Sequence, residues 1–316
     1  LRPGEVFVGI HGVRRHGAEL AAEAKAKGAV AIITDAEGAD IALPSGLPVL
    51  IADSPRGKLA ELSSWIYGND ESMPLMLGVT GTNGKTSTVH LQDGILQQLG
   101  IRSGMSSSAH RHINGDVITA RLTTPESSEL HALIAYMKEQ GVEMFALEVS
   151  VQAIVRHRVD GVIYDVSGFT NLQYDHMDDF SDMTEYLEGK LAMFNSSRAR
   201  RAVVSLDTTA GRTVLERADI PVTTVATPEI AEDAELAASA QWTARMLREG
   251  INETQMELIG PDGQHTVTTV PATGPHMVAN AAMAILMIVD VGVCWCTAVA
   301  SLARDVGILT QLPGRS

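Results

Sequence analysis

The stretch Leu75-Met76-Leu77-Gly78-Val79-Thr80-Gly81-Thr82-Asn83-Gly84-Lys85-Thr86-Ser87 decides how the rest of the chain is read. Residues 75–79 form a short apolar run of strand length, the glycines open a turn, and residues 85–99 carry a helical period that stops at Gly100. A strand, a glycine-rich turn and a helix in that order make a phosphate-binding loop. The glycines let backbone N–H groups turn inward, and the helix presents the positive end of its dipole. Lys85 is placed to reach the β and γ oxygens of a nucleotide, and Thr86 to set its hydroxyl on a magnesium ion. ATP with Mg²⁺ is therefore the expected ligand, held by Gly81, Thr82, Asn83, Gly84, Lys85, Thr86 and Ser87. The strict form of such loops has a glycine where this chain has Val79.

Working outward, residues 6–10, 29–34 and 49–52 read as strands and 16–27 and 55–67 as helices, which makes a small α/β unit over residues 1–70. A cluster of Gly, Asn, Asp, Glu, Ser and Pro at 68–74 marks a boundary. Beyond it, strands are expected at 144–149, 162–167, 202–206 and 222–226, with helices at 126–140 and 183–194. This alternation predicts a mostly parallel sheet with helices on both faces. Residues 256–259 and 265–270 flank Pro261-Asp262-Gly263 as an antiparallel hairpin, and helices over 277–291 and 297–306 follow. The expected fold class is α/β: a small N-terminal α/β domain, a central P-loop domain over 74–311 with a mostly parallel sheet and a β-hairpin appendage, and a linker beginning at 312–316.

Bulk composition narrows the function. With 24 basic and 38 acidic residues the net charge is -14, so nucleic acid is excluded as a partner for want of a basic stripe. The apolar run at 281–289 is far short of the ~20 residues that cross a bilayer, and no signal peptide is visible, so membrane insertion is not expected and the cytoplasm is the expected compartment. Cys294 and Cys296 lack the second ligand pair of a zinc site and read as helix residues.

The run Gly81 to Thr86, together with Thr123-Thr124-Pro125-Glu126, Glu148-Val149-Ser150, Phe169-Thr170-Asn171-Leu172 and Asp175-His176, resembles the Mur ligase family, and within it the branch that adds the third residue of the peptidoglycan stem peptide. Arg2-Pro3-Gly4-Glu5-Val6-Phe7-Val8 extends the resemblance to the start of the chain. It implies that Glu148 and His176 are Mg²⁺ ligands beside Thr86, and that Lys190 is a lysine carbamylated by CO₂, which converts a cation into a further metal ligand. Lys85, Glu148, His176 and Lys190 are thus the expected catalytic set. Thr123, Thr124, Ser150, Arg156 and Arg158 are implied to hold a UDP-N-acetylmuramoyl dipeptide, with Val13, Arg14 and Arg15 near its nucleotide part. Asn280 and Arg315 are implied on the adenine and phosphate sides of ATP. Departures stand beside these matches: Val151-Gln152 replaces a usual Ser-His, Arg156 a usual glutamine, Met277 a usual asparagine, and Ser205-Leu206-Asp207-Thr208 lacks a usual asparagine and second acid.

The reaction so implied is ATP-dependent amide formation: a substrate carboxylate is phosphorylated and an amino acid, diaminopimelate or lysine, displaces the phosphate. The chain is expected to be a monomer that binds both the UDP-sugar peptide and ATP. It ends where the family's amino-acid-binding domain would start, so this stretch alone is expected not to complete ligation. Three alternatives share the phosphate loop: another Mur step, a folylpolyglutamate or cyanophycin type of ligase, and a non-catalytic nucleotide-binding homologue.

Overall fold

The structure, a computed structural model, describes residues 1–12, 14–113, 122–175, 178–302 and 307–312, and the backbone of 116–119. Strands β1 (Val6–Val8), β2 (Ala31–Thr34) and β3 (Val49–Ile51) form a three-stranded parallel sheet in that order. The segment expected as one helix over 16–27 is a 3-10 turn at Gly17–Leu20 followed by α1 (Ala21–Ala26). Helix α2 (Ala36–Ala42), absent from the sequence reading, is capped by the Asp35 carboxylate. Helix α3 (Pro55–Ile66) starts with proline at a position needing no N–H donor, behind the Ser54 cap. Ala18, Ala21, Ile32 and Ala42 make a small core.

The second sheet has eleven strands: β4 (Leu75–Thr80), β5 (Ser103–Ser106), β6 (His110–Ile113), β7 (Asp116–Thr119), β8 (Met144–Glu148), β9 (Val166–Phe169), β10 (Ala202–Ser205), β11 (Val222–Ala226), β12 (Trp242–Glu249), β13 (Thr254–Ile259) and β14 (His265–Val270). Their spatial order is β14-β13-β12-β11-β10-β9-β4-β8-β5-β6-β7. The run from β12 to β5 is parallel, and both edges continue antiparallel. The expected hairpin is present as β13-β14. As expected of an appendage on the sheet, it continues the main sheet through β12, with β13 paired to β12 along its whole length.

Helices α4 (Lys85–Gln98), α5 (Ser127–Glu139), α6 (Val151–Val155), α7 (Met183–Leu191), α8 (Thr209–Arg217), α9 (Ala234–Ala238), α10 (Pro275–Asp290) and α11 (Trp295–Leu302) complete the unit. Side chains alternate across β4 as the pleat requires. Leu77 and Val79 pack with Val89 and Ile95 of α4 and with Met283 and Met287 of α10, whereas Met76 packs with Leu130, Ile134 and Met137 of α5. The sheet is therefore sandwiched between helix layers, as a parallel sheet buried on both faces must be. The apolar run near 281–289 is the buried centre of α10, and among the described residues no helix is long and apolar enough to cross a membrane.

The two sheets meet through α3 and α5. The Asn69 amide donates to His131 Nδ1 at 3.1 Å and to its carbonyl at 2.8 Å, while the His131 Nε2–H donates to the Asp160 carbonyl at 2.9 Å. Burial holds His131 below its ordinary pKa, so the neutral ring fits this arrangement.

Candidate functional site

Strand β4 lies between β9 on one side and β8 on the other: the chain leaves β4 past β8 to reach β5, and later crosses back over β4 from β8 to β9. That is the switch point at whose carboxyl end parallel α/β sheets bind ligands. Strand β4 extends through Val79 and Thr80, with Val79 fully buried and in register with Glu148 and Gly168. The turn proper starts at Gly81, so the residue where a longer glycine-rich loop would begin is here part of the strand.

Two glycines are dictated by geometry. Gly84 caps α4 at φ +87°, and a Cβ there would sit 2.3 Å from Asn280 Oδ1. Gly81 has φ +143°, and its Cβ would sit 1.9 Å from Thr170 Oγ1. Residues after β9 brace the turn: Asn171 accepts from the Thr82 and Asn83 N–H groups at 2.9 Å each, through its carbonyl and its side-chain oxygen, and Thr170 Oγ1 donates to the Asn83 carbonyl at 2.6 Å. The N–H groups of the first α4 turn, including those of Thr86 and the half-buried Ser87, have no acceptor within their own helix and are the donors open to an anion.

Glu148 ends β8, buried, and its Oε2 accepts from the Thr86 hydroxyl at 2.9 Å and from the Ser108 N–H at 2.9 Å. Ser108 Oγ is 3.0 Å from Thr86 Oγ1. The Glu148 carbonyl accepts from Thr124 Oγ1 at 2.9 Å, and that same oxygen accepts from the Ser150 N–H at 3.1 Å. The segment after Thr123 is thereby stitched to the end of β8. Ser150 also caps α6.

Two lysine side chains converge on one carbonyl. Lys85 Nζ donates to Gly81 O at 3.1 Å and Thr82 O at 2.8 Å, and Lys190 Nζ donates to Gly81 O at 2.8 Å. Lys190 is 1% exposed and its Nζ lies 4.2 Å from the centroid of the Tyr186 ring, whose hydroxyl meets Thr82 Oγ1 at 3.2 Å. Burial, then the charge of Lys85, pushes Lys190 down to about 6 against the opposing pull of Asp175. Burial also lowers Lys85, while Glu148 and Asp175 oppose the shift.

Beside the loop a cavity of about 480 Å³ runs between the ends of β9 and β10 and the start of α10, lined by Asn83, Gly84, Thr170, Asp207, His276 and Asn280. Its volume lies within the range of small-ligand pockets. Burial raises the Asp207 carboxyl to about 6, although it accepts the Thr227 N–H at 2.6 Å.

The structure thus gathers Gly81 to Ser87, Thr123, Thr124, Glu148, Ser150, Lys190 and Asn280 around one sheet end. Arg156 is half out of this cluster, its Nη2 3.2 Å from Asp179, whose other oxygen takes the Gln152 amide at 3.1 Å. The two departures Gln152 and Arg156 therefore share one partner. Arg158 pairs with Glu126 at 2.9 Å. Arg14 and Arg15 are exposed on the small unit after β1. Val13, His176 and Arg315 lie outside the described residues. Sequence reasoning missed Ser108, which sits in a polar turn with no motif around it. It also left Thr170 and Asn171 out of the site, although it quoted them. Cys294 and Cys296 are exposed free thiols, and among the described residues no group of three or more His, Cys, Asp and Glu could by itself hold a metal.

A family description, the Mur ligase middle domain, matches residues 79–288. The chain belongs to that family. It is 45% identical over 316 residues to a UDP-N-acetylmuramyl-tripeptide synthetase of Leifsonia xyli subsp. xyli, covering 100% of this chain and 60% of that protein. A solved UDP-N-acetylmuramoyl-L-alanyl-D-glutamate–2,6-diaminopimelate ligase superposes with a TM-score of 0.81 at 20% identity, over 97% of this chain and 61% of the other. A MurF ligase from Thermotoga maritima, solved in complex with ADP, superposes at 0.65 with 19% identity over 100% of this chain and 65% of the other. The chain spans about 60% of the length of the curated relative it matches.

Proposed function

We propose that this chain is the nucleotide- and UDP-substrate-binding part of an ATP-dependent amide ligase. The ligase extends UDP-N-acetylmuramoyl-L-alanyl-D-glutamate by diaminopimelate or lysine in peptidoglycan precursor synthesis. Residues 1–70 form the UDP-binding unit, 74–311 the ATP-binding unit, and 312–316 begin a linker; the protein acts as a cytoplasmic monomer. The observation that carries the reading is the meeting of Thr86 and Glu148 at 2.9 Å beside two lysines on the Gly81 carbonyl.

The donor set fits magnesium. A threonine hydroxyl and a carboxylate are hard oxygen ligands, and Mg²⁺ characteristically takes one or two of these and completes its shell from phosphate and water. Bound Mg²⁺-ATP supplies the phosphoryl group that turns an unreactive carboxylate into an acyl phosphate open to amine attack. The chain's own residues do the rest. The α4 N–H groups hold phosphate oxygens, and Lys85 exchanges its two carbonyl partners for the charge spread over the transferring group. Ser108 pins Oε2 of Glu148. Thr123, Thr124, Ser150, Arg156 and Arg158 hold the UDP-sugar dipeptide in line, with Val13, Arg14 and Arg15 at its nucleotide end. Asn280 lines the cavity that would take the adenosine; Arg315 would serve the phosphates, and His176 would join Glu148 as a ligand of the metal.

Lys190 is suited to the modification its resemblance implies. A lysine lowered to about 6 is mostly the free amine at neutral pH, and the free amine adds CO₂ to give a carbamate with release of one proton. Titration of the chain with ATP tests the nucleotide half: Lys85→Met should weaken binding by at least about a hundredfold with the fold intact. Equal ATP affinity in the two proteins would remove the basis of the reading.

A further inference from the structure

Arg158 does not stand free. Its Nη2 lies 2.9 Å from Glu126 Oε1, and the other oxygen of that carboxylate, Oε2, takes Arg56 Nη1 at 3.3 Å. Arg56 sits in the first turn of α3 in the small unit, Glu126 caps α5 directly after Thr123-Thr124-Pro125, and Arg158 follows α6. One carboxylate therefore bridges two arginines and both units of the molecule. The node carries one positive charge in excess. The Arg158 side chain is only 13% exposed, and its Nε is buried with no hydrogen-bond partner. Buried guanidinium N–H groups are nearly always met, so Arg158 carries donor capacity that the fold itself leaves unused.

The division of the carboxylate matters. Left alone, a carboxylate and an arginine close into a two-bonded fork that occupies two guanidinium donors. Arg56 holds Oε2, so the described contact of Glu126 with Arg158 is one ion pair through Nη2 to Oε1 and not a closed fork. We propose that Glu126 is the positioning residue that sets the Arg158 guanidinium for the anionic substrate, and that Arg56 ties this setting to the small N-terminal unit. The inference rests on the UDP-muramoyl dipeptide being the substrate, as proposed above. Arg56 itself makes no substrate contact in this account.

The test is a calorimetric titration of the chain with UDP-N-acetylmuramoyl-L-alanyl-D-glutamate, and separately with Mg²⁺-ATP, in five forms: unaltered, Glu126→Gln, Arg56→Met, Arg158→Met, and Glu126→Gln with Arg158→Met. Glu126→Gln keeps shape and removes charge, and Arg56 is partly exposed, so ATP affinity within about twofold of the unaltered chain reports an intact fold. Glu126→Gln and Arg56→Met should each raise the Kd for the UDP-sugar dipeptide about tenfold. In the Arg158→Met background, Glu126→Gln should add nothing, because it acts through that arginine. Unchanged affinity in Glu126→Gln, or losses that multiply in the double variant, overturns the inference while leaving the function standing. Failure of the unaltered chain to bind the UDP-sugar dipeptide overturns both.

Discussion

Replacing Gly84 by alanine should injure fold and nucleotide binding together, and the structure sets the size of the effect. The residue caps α4 at φ +87°, where a Cβ is disfavoured by about 1–2 kcal/mol. The added carbon would lie 2.3 Å from Asn280 Oδ1, whereas ordinary contact begins at 3.4 Å, so the buried amide must retreat by about 1 Å. Forcing that side chain from its rotamer adds about 1 kcal/mol. The total, about 2–3 kcal/mol, corresponds to a fall in Tm of roughly 5–10 °C for a unit of this size. Thermal denaturation checks the first part, and calorimetric titration with ATP checks the second, since displaced Asn280 lines the cavity and the cap orients the first α4 N–H groups. Asn280→Ala provides the internal control: it removes the clash, so Gly84→Ala on that background should lose only the backbone share. A Gly84→Ala protein with unaltered Tm and ATP affinity would refute this reasoning.

Other expectations follow from the same distances. Glu148→Gln retains an oxygen for Thr86 and Ser108 but removes the charge, so Tm should move by only a few degrees while the Mg²⁺ enhancement of ATP binding disappears; persistence of that enhancement counts against Glu148 as a ligand. His90 is buried against Ser107 and His110, and burial lowers its pKa from 6.5 to about 4. The unfolded chain therefore takes up this proton first, and the fold loses up to about 3 kcal/mol as pH falls from about 6.5 to 4, with no effect above that window. Chemical denaturation at pH 7 and pH 4.5 should show a smaller pH loss in His90→Gln, and an identical loss in both proteins would contradict it. Lys190→Met should abolish uptake of isotopically labelled bicarbonate detectable by NMR, whereas an undiminished carbamate signal would place the modification elsewhere.

How far the fold was legible depended on whether a segment's own side chains or its neighbours made it. Residues 75–99 read correctly because an apolar strand, the turn glycines Gly81 and Gly84, and a helical period each point the same way. Ser103–Ser106 did not read as a strand: only Met105 is a large apolar residue there, and the segment is extended because it pairs with β8. Helix α8 was missed for a similar reason. Gly211 interrupts its pattern, and it is accommodated because a Cβ there would meet the Ser205 carbonyl at 2.1 Å. Strand β12, between β11 and β13, alternates polar and apolar residues, but with a bulge between Met246 and Arg248 that breaks the period.

The site was legible as a set of motifs and illegible as a set of contacts. Thr86 and Glu148 could be named as partners from family resemblance, while Ser108, which touches both, had no signal. Likewise Arg158 could be picked out from family resemblance, but its ion pair with Glu126 and the hold of Arg56 on that carboxylate join residues far apart in the chain. Such long-range ion pairs leave no periodic trace. They emerge only when α3, α5 and the segment after α6 are packed together.

On the function proposed above, the carboxyl end of the main sheet holds both a nucleotide and a UDP-muramoyl peptide. The most direct measurement is calorimetric titration of this chain with UDP-N-acetylmuramoyl-L-alanyl-D-glutamate, run with and without a non-hydrolysable Mg²⁺-ATP analogue and against a folate as competitor. The account predicts saturable binding of the UDP-sugar dipeptide with the analogue bound alongside it, and no displacement by the folate. Absence of dipeptide binding, or its displacement by the folate, would contradict it.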